Sequence, residues 1–160
     1  MVRSDAEYRS AIEKMKSNEA FAEEQRRALM QKGLTEEQVE RAMQPSLSFH
    51  AGLAEEVSWY ELVRRREFKP ISDLTHIGRL LIGLRIANGM TQKDLAERLG
   101  VSEPQVSRDE RNEYHGITVE RVQKILKALN ESMEITIVEA RYEPYEPTSP
   151  RRNPEPVGVT

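Results

Sequence analysis

The side chains that most often bind metals or act in catalysis are few in this chain and lie far apart. The 160 residues contain no cysteine and three histidines, His50, His76 and His115, whose separations fit no metal-ligand spacing. No motif pairs a nucleophile with a base, no glycine-rich loop could hold a phosphate, and no two carboxylates form a catalytic pair. These absences argue against an enzyme, and we expect neither a metal nor a cofactor.

The polar residues whose types and spacing do suggest a chemistry lie in residues 91–111, TQKDLAERLGVSEPQVSRDER. Thr91 is a good N-cap and has an acidic residue three positions later, which is an acidic variant of the capping box. Gly100 tolerates the left-handed backbone of a helix C-cap. Ser102 with Gln105 then predicts the cap of a second helix. The pattern indicates two short amphipathic helices joined by a tight turn, with the second helix exposing its N-terminal face.

This segment resembles the helix-turn-helix of lambda-repressor/Cro-type regulators, the xenobiotic-response-element family. The resemblance covers roughly Asp73 to Leu129, about a third of the chain. It implies a dimeric repressor that binds double-stranded DNA sequence-specifically in the major groove. The alternative is an ordinary helical hairpin in an all-α core. The residues that carry the match are Thr91-Gln92, Leu95-Ala96, Gly100-Val101-Ser102 and Val106-Ser107-Arg108, with Glu110.

The resemblance also implies roles for individual side chains. Gln92, at the start of the first helix, would contact a backbone phosphate. Gln105 would hydrogen-bond adenine and Arg108 guanine. Glu103 and Pro104 depart from the commonest residues of the family: the first would accept from a cytosine amino group or be repelled by the backbone, and the second offers an apolar contact to a thymine methyl. The residues predicted at the DNA are Thr91, Gln92, Ser102, Glu103, Pro104, Gln105, Ser107, Arg108 and Arg111.

Two further positions carry a structural role in the family. Arg85 and Glu110 stand where the family forms a semi-buried ion pair between the first helix of the domain and the recognition helix. Asp109 stands where the family often has an aromatic residue or leucine, and the sequence offers no account of it.

The first 69 residues predict a helical region that DNA reading does not require. A long helix is expected from Asp5 to Gln31, closed by Gly33. A short second helix from Thr35 is expected to end at Pro45, and a third to run from about Ser48 to Phe68. Trp59 and Tyr60 lie on the apolar face of that third helix and are expected in the core, with a ligand-sensing pocket as the alternative.

Four segments therefore organise the chain, and the expected fold is mainly α. Residues 1–69 form an N-terminal helical region for interaction or dimerisation, and residues 70–130 a five-helix-type, repressor-like helix-turn-helix domain. Residues 131–140 contain a single strand signal, Met133 to Glu139, which must pair with another strand. We favour a homodimer ribbon, with the N-terminal segment or a partner chain as alternatives. Residues 141–160 contain five prolines and predict a flexible tail.

Charge and composition agree with this reading. The net charge is −3, yet residues 74–130 carry nine basic and seven acidic side chains, so the positive excess lies on the helix-turn-helix segment. No apolar run approaches the ~20 residues of a membrane span, and the N-terminus lacks a signal-peptide core. We expect a cytoplasmic protein without membrane contact.

Two other functions stay open beside the DNA-binding regulator. An antitoxin-like autoregulator would bind its own promoter and also hold a partner toxin through the N-terminal helices or the strand. A protein-interaction module would use the same fold without DNA, which would suit the acidic Glu103 and the negative net charge.

Overall fold

The computed structural model describes residues 1–137, and within them the chain is mainly helical, as predicted. A short 3-10 turn at Leu74–His76 precedes the third α-helix. The six α-helices are α1 Asp5–Gln31, α2 Glu36–Arg64, α3 Ile77–Ala87, α4 Gln92–Leu99, α5 Glu103–Arg111 and α6 Val119–Leu129.

Helices α1 and α2 form an antiparallel hairpin. Tyr8 donates a hydrogen bond to Glu61, while Asn18 donates one to the backbone of Ser46. The sequence separation falls from 53 to 28 residues between these two contacts, as it must when the second helix runs back along the first. Buried and half-buried residues recur in both helices at alternating steps of three and four, the spacing of a coiled coil. This seam consists of Tyr8, Ala11, Met15, Asn18, Ala22, Gln25 and Leu29 of α1 with Val39, Met43, Ser46, His50, Leu53, Val57 and Tyr60 of α2.

The prediction that Pro45 ends a helix was wrong, because α2 continues through this residue without a break. A proline inside a helix removes one backbone hydrogen bond and crowds the preceding turn. Here Pro45 is exposed, whereas Met43 and Ser46 on either side belong to the seam. Packing against α1 on both sides of the proline therefore outweighs the local cost. The third helix predicted to reach Phe68 is the second half of α2 and ends earlier, at Arg64.

The main core lies among α3 to α6. Helix α3 buries eight of its eleven residues, and Leu95, Val106, Ile125 and Leu126 pack around it from the other three helices. The same core continues into the base of the hairpin through buried residues of α1, α2 and the N-terminal segment, namely Val2, Ala11, Val57, Tyr60 and Val63.

A glycine allows α3 to approach the end of α2 closely. A Cβ atom built on Gly83 would lie 3.1 Å from the Phe68 ring and 3.3 Å from a methyl group of Val63. Both distances are shorter than ordinary van der Waals contact. The close approach fixes how the hairpin sits on the helix-turn-helix region.

The chain after α6 is held at its start and exposed beyond. Glu131 accepts hydrogen bonds from Arg66 at 2.6 Å and from Asn88 at 3.0 Å, and Met133 packs against the core. Of the strand predicted for Met133 to Glu139, residues 133–137 have no regular secondary structure, and the remainder lies outside the described residues, as does the predicted tail. The strand stays a prediction.

Candidate nucleic-acid interface

Helix α4 begins at a complete capping box. The Thr91 hydroxyl accepts a hydrogen bond from the Asp94 amide at 3.1 Å, and the Asp94 carboxylate accepts one from the Thr91 amide at 2.8 Å. The hydrogen bond from the Thr91 backbone, with a smaller contribution from its hydroxyl, lowers the pKa of Asp94. Thr91 itself is exposed. The box therefore fixes the N-terminus of α4 at the protein surface and keeps a carboxylate ionised there.

The turn between α4 and α5 follows the predicted pattern in part. Gly100 has φ +67 and closes α4 in the left-handed conformation. Ser102 occupies the N-cap of α5, but its side chain makes no capping hydrogen bond, so the predicted Ser102–Gln105 box was wrong. The Ser102 carbonyl accepts from the Gln105 and Val106 amides instead. The exposed hydroxyl remains available to another acceptor or donor at this helix end.

Helix α5 turns one face to the core and the opposite face to solvent. Val106 and Glu110 are fully buried. Pro104, Arg108 and Arg111 recur at helical spacing on the opposite side, and all three are exposed. Among the described residues, neither arginine has an ion-pair partner. We call these three residues the outer stripe.

The remaining predicted positions flank the outer stripe. Glu103 is exposed in the first turn of α5, and Gln105 and Ser107 are half-buried along the sides of the helix. The structure thus brings all nine predicted DNA-binding residues to the adjoining N-termini of α4 and α5 and to the solvent side of α5. Arg111 lies farthest from the helix N-terminus.

A buried ion pair holds α5 against α3. Arg85 donates from Nη2 to one Glu110 oxygen at 2.8 Å and from Nε to the other at 2.5 Å, and both side chains are almost fully buried. Arg85 donates further to the carbonyls of Met90 and Arg3, so each end of its guanidinium has an acceptor. Gln92 donates to Glu110 at 2.7 Å. A buried pair is tolerable when its hydrogen bonds are satisfied in this way.

The network limits what Gln92 can do at DNA. Its side-chain nitrogen carries two hydrogens, and one of them is used by Glu110. One N–H and the amide oxygen remain. Because Gln92 is also half-buried, its position is set by the ion pair rather than by solvent.

Sequence reasoning missed a cleft beside these residues. A cavity of about 270 Å³ lies between the N-terminus of α1 and that of α4, and Arg3, Arg64, Thr91 and Gln92 line it together with acidic Glu103. The contact that closes it, from Arg85 to the Arg3 carbonyl, joins residues 82 positions apart. No local sequence pattern predicts that these residues lie close together.

Arg64 in that cleft is held by a short network. It donates to Asp5 at 2.9 Å, and the Tyr60 hydroxyl donates to the same carboxylate at 2.8 Å. The Tyr60 hydrogen bond in particular lowers the pKa of Asp5, while burial and that same bond raise the pKa of Tyr60 to about 12. Half of the Arg64 side chain remains exposed, so a cationic group stands at the hairpin base next to α4.

Asp109, for which the sequence offered no account, lies toward α6. Its carboxylate is 3.5 Å from Arg121, and its carbonyl accepts from the Tyr114 amide at 2.8 Å. Asp109 therefore joins α5 to the rest of the domain and does not belong to the outer stripe.

No helix within residues 1–137 has both the length and the apolar character that a membrane crossing requires. In the same range, no cluster of three or more histidine, aspartate or glutamate side chains has a geometry suited to a metal ion.

Comparison with known proteins agrees with the geometry. The family model described as helix-turn-helix matches residues 82–135, which run from α3 through α6 into the segment beyond. The chain carries a helix-turn-helix domain of the lambda-repressor/Cro type. This fold is that of DNA-binding regulators, and the two-helix unit predicted from residues 91–111 lies within the matched residues.

One similar curated protein is the RNA polymerase sigma-F factor of Bacillus subtilis (strain 168), with 36% identity over 81 residues. The matched region covers 51% of this chain and 26% of the relative, so the chain spans about a quarter of that protein's length. No solved structure gives a significant match. The family match therefore covers the helix-turn-helix domain, and the hairpin of α1 and α2 lies outside the matched residues.

Proposed function

We propose that the chain is a sequence-specific DNA-binding transcriptional regulator that inserts α5 into the major groove. The observation that carries this proposal is the outer stripe, Pro104, Arg108 and Arg111, whose two cations have no partner within residues 1–137. The buried charges of the same region, by contrast, are fully paired. Paired charges on the inside and free cations on the outside are what a helix requires if it is to meet an anionic duplex.

The side chains divide between positioning and reading. The N-termini of α4 and α5 direct backbone N–H groups, with the Thr91 and Ser102 hydroxyls, toward phosphates. Gln105 and Arg108 read adenine and guanine edges in the groove. Arg111, the last residue of α5, contacts the backbone.

The less usual residues at the start of α5 give the site its selectivity. Glu103 accepts from a cytosine amino group and disfavours positions where it would face phosphate. Pro104 contacts a thymine methyl. One N–H of the Gln92 side chain donates to Glu110, and the other donates to a phosphate. The buried ion pair therefore orients the contact of Gln92 with the phosphate.

We propose further that two copies bind together as a repressor. Ile135 and Ile137 are 65% and 95% exposed at the point where the predicted strand begins. Pairing of this segment with its own copy would cover both side chains and supply the strand with a partner. The two recognition helices would then read half-sites about 34 Å apart, one turn of DNA, and would block access of polymerase to an overlapping promoter.

Selection of bound sequences from a random duplex pool tests both parts. A palindromic motif, with log affinity falling by several units per log unit of salt, is the expected result. A non-palindromic motif bound by a monomer in light scattering would remove the dimer and leave the reading helix. Failure to enrich any motif at low salt would overturn DNA reading itself.

A second candidate is an antitoxin-like regulator that also binds a partner protein. The observation in its favour is on the hairpin: Phe21 is 60% exposed and Phe49 is 52% exposed. Each immediately precedes a seam residue, which places both on the same side of an antiparallel pair. The proposed function is binding rather than catalysis in either case. Co-purification of the chain with the product of an adjacent gene, lost in Phe21→Ser with Phe49→Ser but retained in Arg108→Ala, would establish this second role.

A further inference from the structure

A second cavity, largely apolar, lies between the second half of α2 and the start of α3. Its volume is about 680 Å³, within the range of pockets that hold small molecules. The walls come from the second half of α2, the connecting segment 67–72 and the start of α3. The apolar part of the lining consists of Trp59, Leu62, Phe68, Pro70, Ile71 and Leu80.

One cation stands in this cavity without a partner. The Arg79 guanidinium lies over the Trp59 ring, 4.9 Å from its centroid. Its Nε atom is buried and makes no hydrogen bond, and Arg79 forms no ion pair within residues 1–137. A buried donor without an acceptor is uncommon in a native protein and calls for a specific explanation.

The nearby carboxylates do not supply the missing acceptor. Glu67 accepts from Arg65 at 2.7 Å, and Asp73 accepts from the Thr75 amide at 2.7 Å and contacts His76 at 3.3 Å. Glu55 is exposed at the rim. Lys69, Arg79, Glu55 and Glu67 all line the cavity. Because Arg65 neutralises Glu67 from outside the lining, the remaining side chains carry an excess of one positive charge.

We propose that this cavity binds a small amphipathic carboxylate. The apolar body of the ligand packs against Trp59, Phe68 and Leu80, and its carboxylate accepts hydrogen bonds from the Arg79 guanidinium. An apolar cavity alone would accept any apolar small molecule or apolar chain segment. The unpaired guanidinium beside the aromatic face selects an anion at one end, because a charged hydrogen bond formed away from bulk water is stronger than one formed in it.

The single tryptophan of the chain makes the proposal directly testable. Trp59 is the only tryptophan among the 160 residues, so intrinsic tryptophan emission reports on this cavity alone. The full chain is titrated with octanoate and, separately, with 1-octanol, which has the same apolar chain and no charge. We expect a saturable change in Trp59 emission with octanoate at sub-millimolar concentration and weaker binding of octanol.

Two variants separate the charge from the cavity. Arg79→Met keeps an apolar stem and removes the guanidinium, and it should lower octanoate affinity roughly tenfold or more while leaving octanol affinity unchanged. Arg41→Met is the matched control, because Arg41 is an exposed α2 cation paired with Glu37 and far from the cavity in sequence. It should bind octanoate like the parent chain.

The octanol titration also shows that Arg79→Met has kept its fold. Equal affinity for octanoate and octanol, or an unchanged octanoate affinity in Arg79→Met, would overturn the proposal and leave a general apolar groove for a chain segment. Absence of any saturable response would overturn it as well. No DNA is needed in these measurements, so their failure leaves the DNA-binding proposal in place.

Discussion

The hairpin and the helix-turn-helix domain solve the problem of burying apolar surface in opposite ways. Helices α1 and α2 have 27 and 29 residues, of which one and five are fully buried. Helix α3 has eleven residues and buries eight of them. Long helices joined by a narrow seam depend on each other at every turn, whereas a short helix surrounded by three others is fixed from all sides. We therefore expect the domain to be the more rigid unit, and we expect the distal hairpin, the end that carries the α1–α2 turn, to open locally.

Two polar networks, that of Arg85 in the domain and that of the α1–α2 seam, differ in the same sense. In the domain, the Arg85 guanidinium has acceptors at Glu110, Met90 and Arg3. In the seam, Asn18 and Ser46 hydrogen-bond each other, but the buried Gln25 Oε1 atom has no partner. A satisfied network specifies one arrangement of a core. The packing of α1 against α2 is therefore less strictly fixed by polar contacts than the packing around Arg85.

The largest expected effect comes from breaking the buried ion pair of the domain. Glu110→Ala leaves the Arg85 cation buried with only carbonyl acceptors, and we expect it to reduce the free energy of unfolding by about 3–5 kcal/mol. Chemical denaturation followed by circular dichroism measures the change.

The double variant Arg85→Met with Glu110→Leu serves as its control. Removing both charges leaves no buried unpaired charge, and only neutral groups lose a partner, namely the Met90 and Arg3 carbonyls and the Gln92 amide. This variant should therefore be less destabilised than Glu110→Ala. A loss below about 1 kcal/mol in the single variant would show that water reaches the pair and that the domain is looser than its burial indicates.

The second prediction tests whether the hairpin opens by itself. Met43, which is 4% exposed, lies in the part of the seam that is nearer the α1–α2 turn. Met43→Ala should lower the free energy of opening by about 2 kcal/mol through the lost packing and the cavity left behind. Hydrogen exchange should detect this loss in residues of the distal hairpin and little change in α3 to α6.

Leu126→Ala in the domain core is the matched comparison, since Leu126 is 2% exposed and packs within the cluster around α3. It should accelerate exchange throughout the chain. If Met43→Ala instead accelerates exchange in α3 and α6 equally, hairpin and domain unfold as one unit.

How far the sequence predicts each region follows from the range of the interactions involved. Helix α4 is bounded by its caps Thr91 and Gly100, and α5 begins directly after its N-cap Ser102, so local patterns suffice. Arg85 and Glu110 form the pair that the family resemblance implies, although 25 positions separate them. The fold class and the helix-turn-helix motif were both predictable on these grounds.

The parts that could not be predicted depend on distant contacts. Pro45 is a helix breaker by every local rule, and only the antiparallel packing of α1 reverses that outcome. The contact of the Arg3 carbonyl with Arg85 spans 82 positions. At Ser102, a local rule named the correct N-cap but the wrong hydrogen bond, because the serine carbonyl and not its hydroxyl accepts from the first turn.

The third prediction places DNA recognition in the domain and not in the hairpin. Arg108→Ala should weaken binding to the selected duplex by about 1–3 kcal/mol and relax the preference at one base pair. Arg26→Ala, which removes an exposed hairpin cation 3.7 Å from Glu36, should leave affinity and preference unchanged. Fluorescence anisotropy on the selected duplex and on its single-base variants measures both. An unaltered sequence preference in Arg108→Ala would assign that side chain to the backbone.

The fourth prediction uses the two capping boxes as a matched pair. Thr91 caps α4 through Asp94, and Thr35 caps α2 through Gln38 with the same two hydrogen bonds. Thr91→Ala should lower the global free energy of unfolding by about 1 kcal/mol. Thr35→Ala should remove a similar amount of local stability, visible in hydrogen exchange near residue 36 but not in global denaturation. Equal global effects of the two variants would contradict the division between rigid domain and locally opening hairpin.

The smallest expected effect distinguishes the same two capping boxes by their response to pH. Asp94 titrates and Gln38 does not. Hydrogen bonding from the Thr91 backbone lowers the pKa of Asp94 below its ordinary value of 3.8, so the ionised side chain stabilises α4 at and above that ordinary value. This contribution disappears as the pH falls through the lowered pKa, because the protonated acid no longer accepts as a carboxylate. Below about pH 4 the start of α4 should therefore exchange its amides faster relative to the start of α2, after correction for intrinsic rates.

Asp94→Asn should abolish that pH dependence while keeping an acceptor at the same position. A parallel acid response at Thr35 would instead indicate general acid unfolding, in which the loss of carboxylate ionisation throughout the chain, and not the chemistry of one cap, governs the outcome.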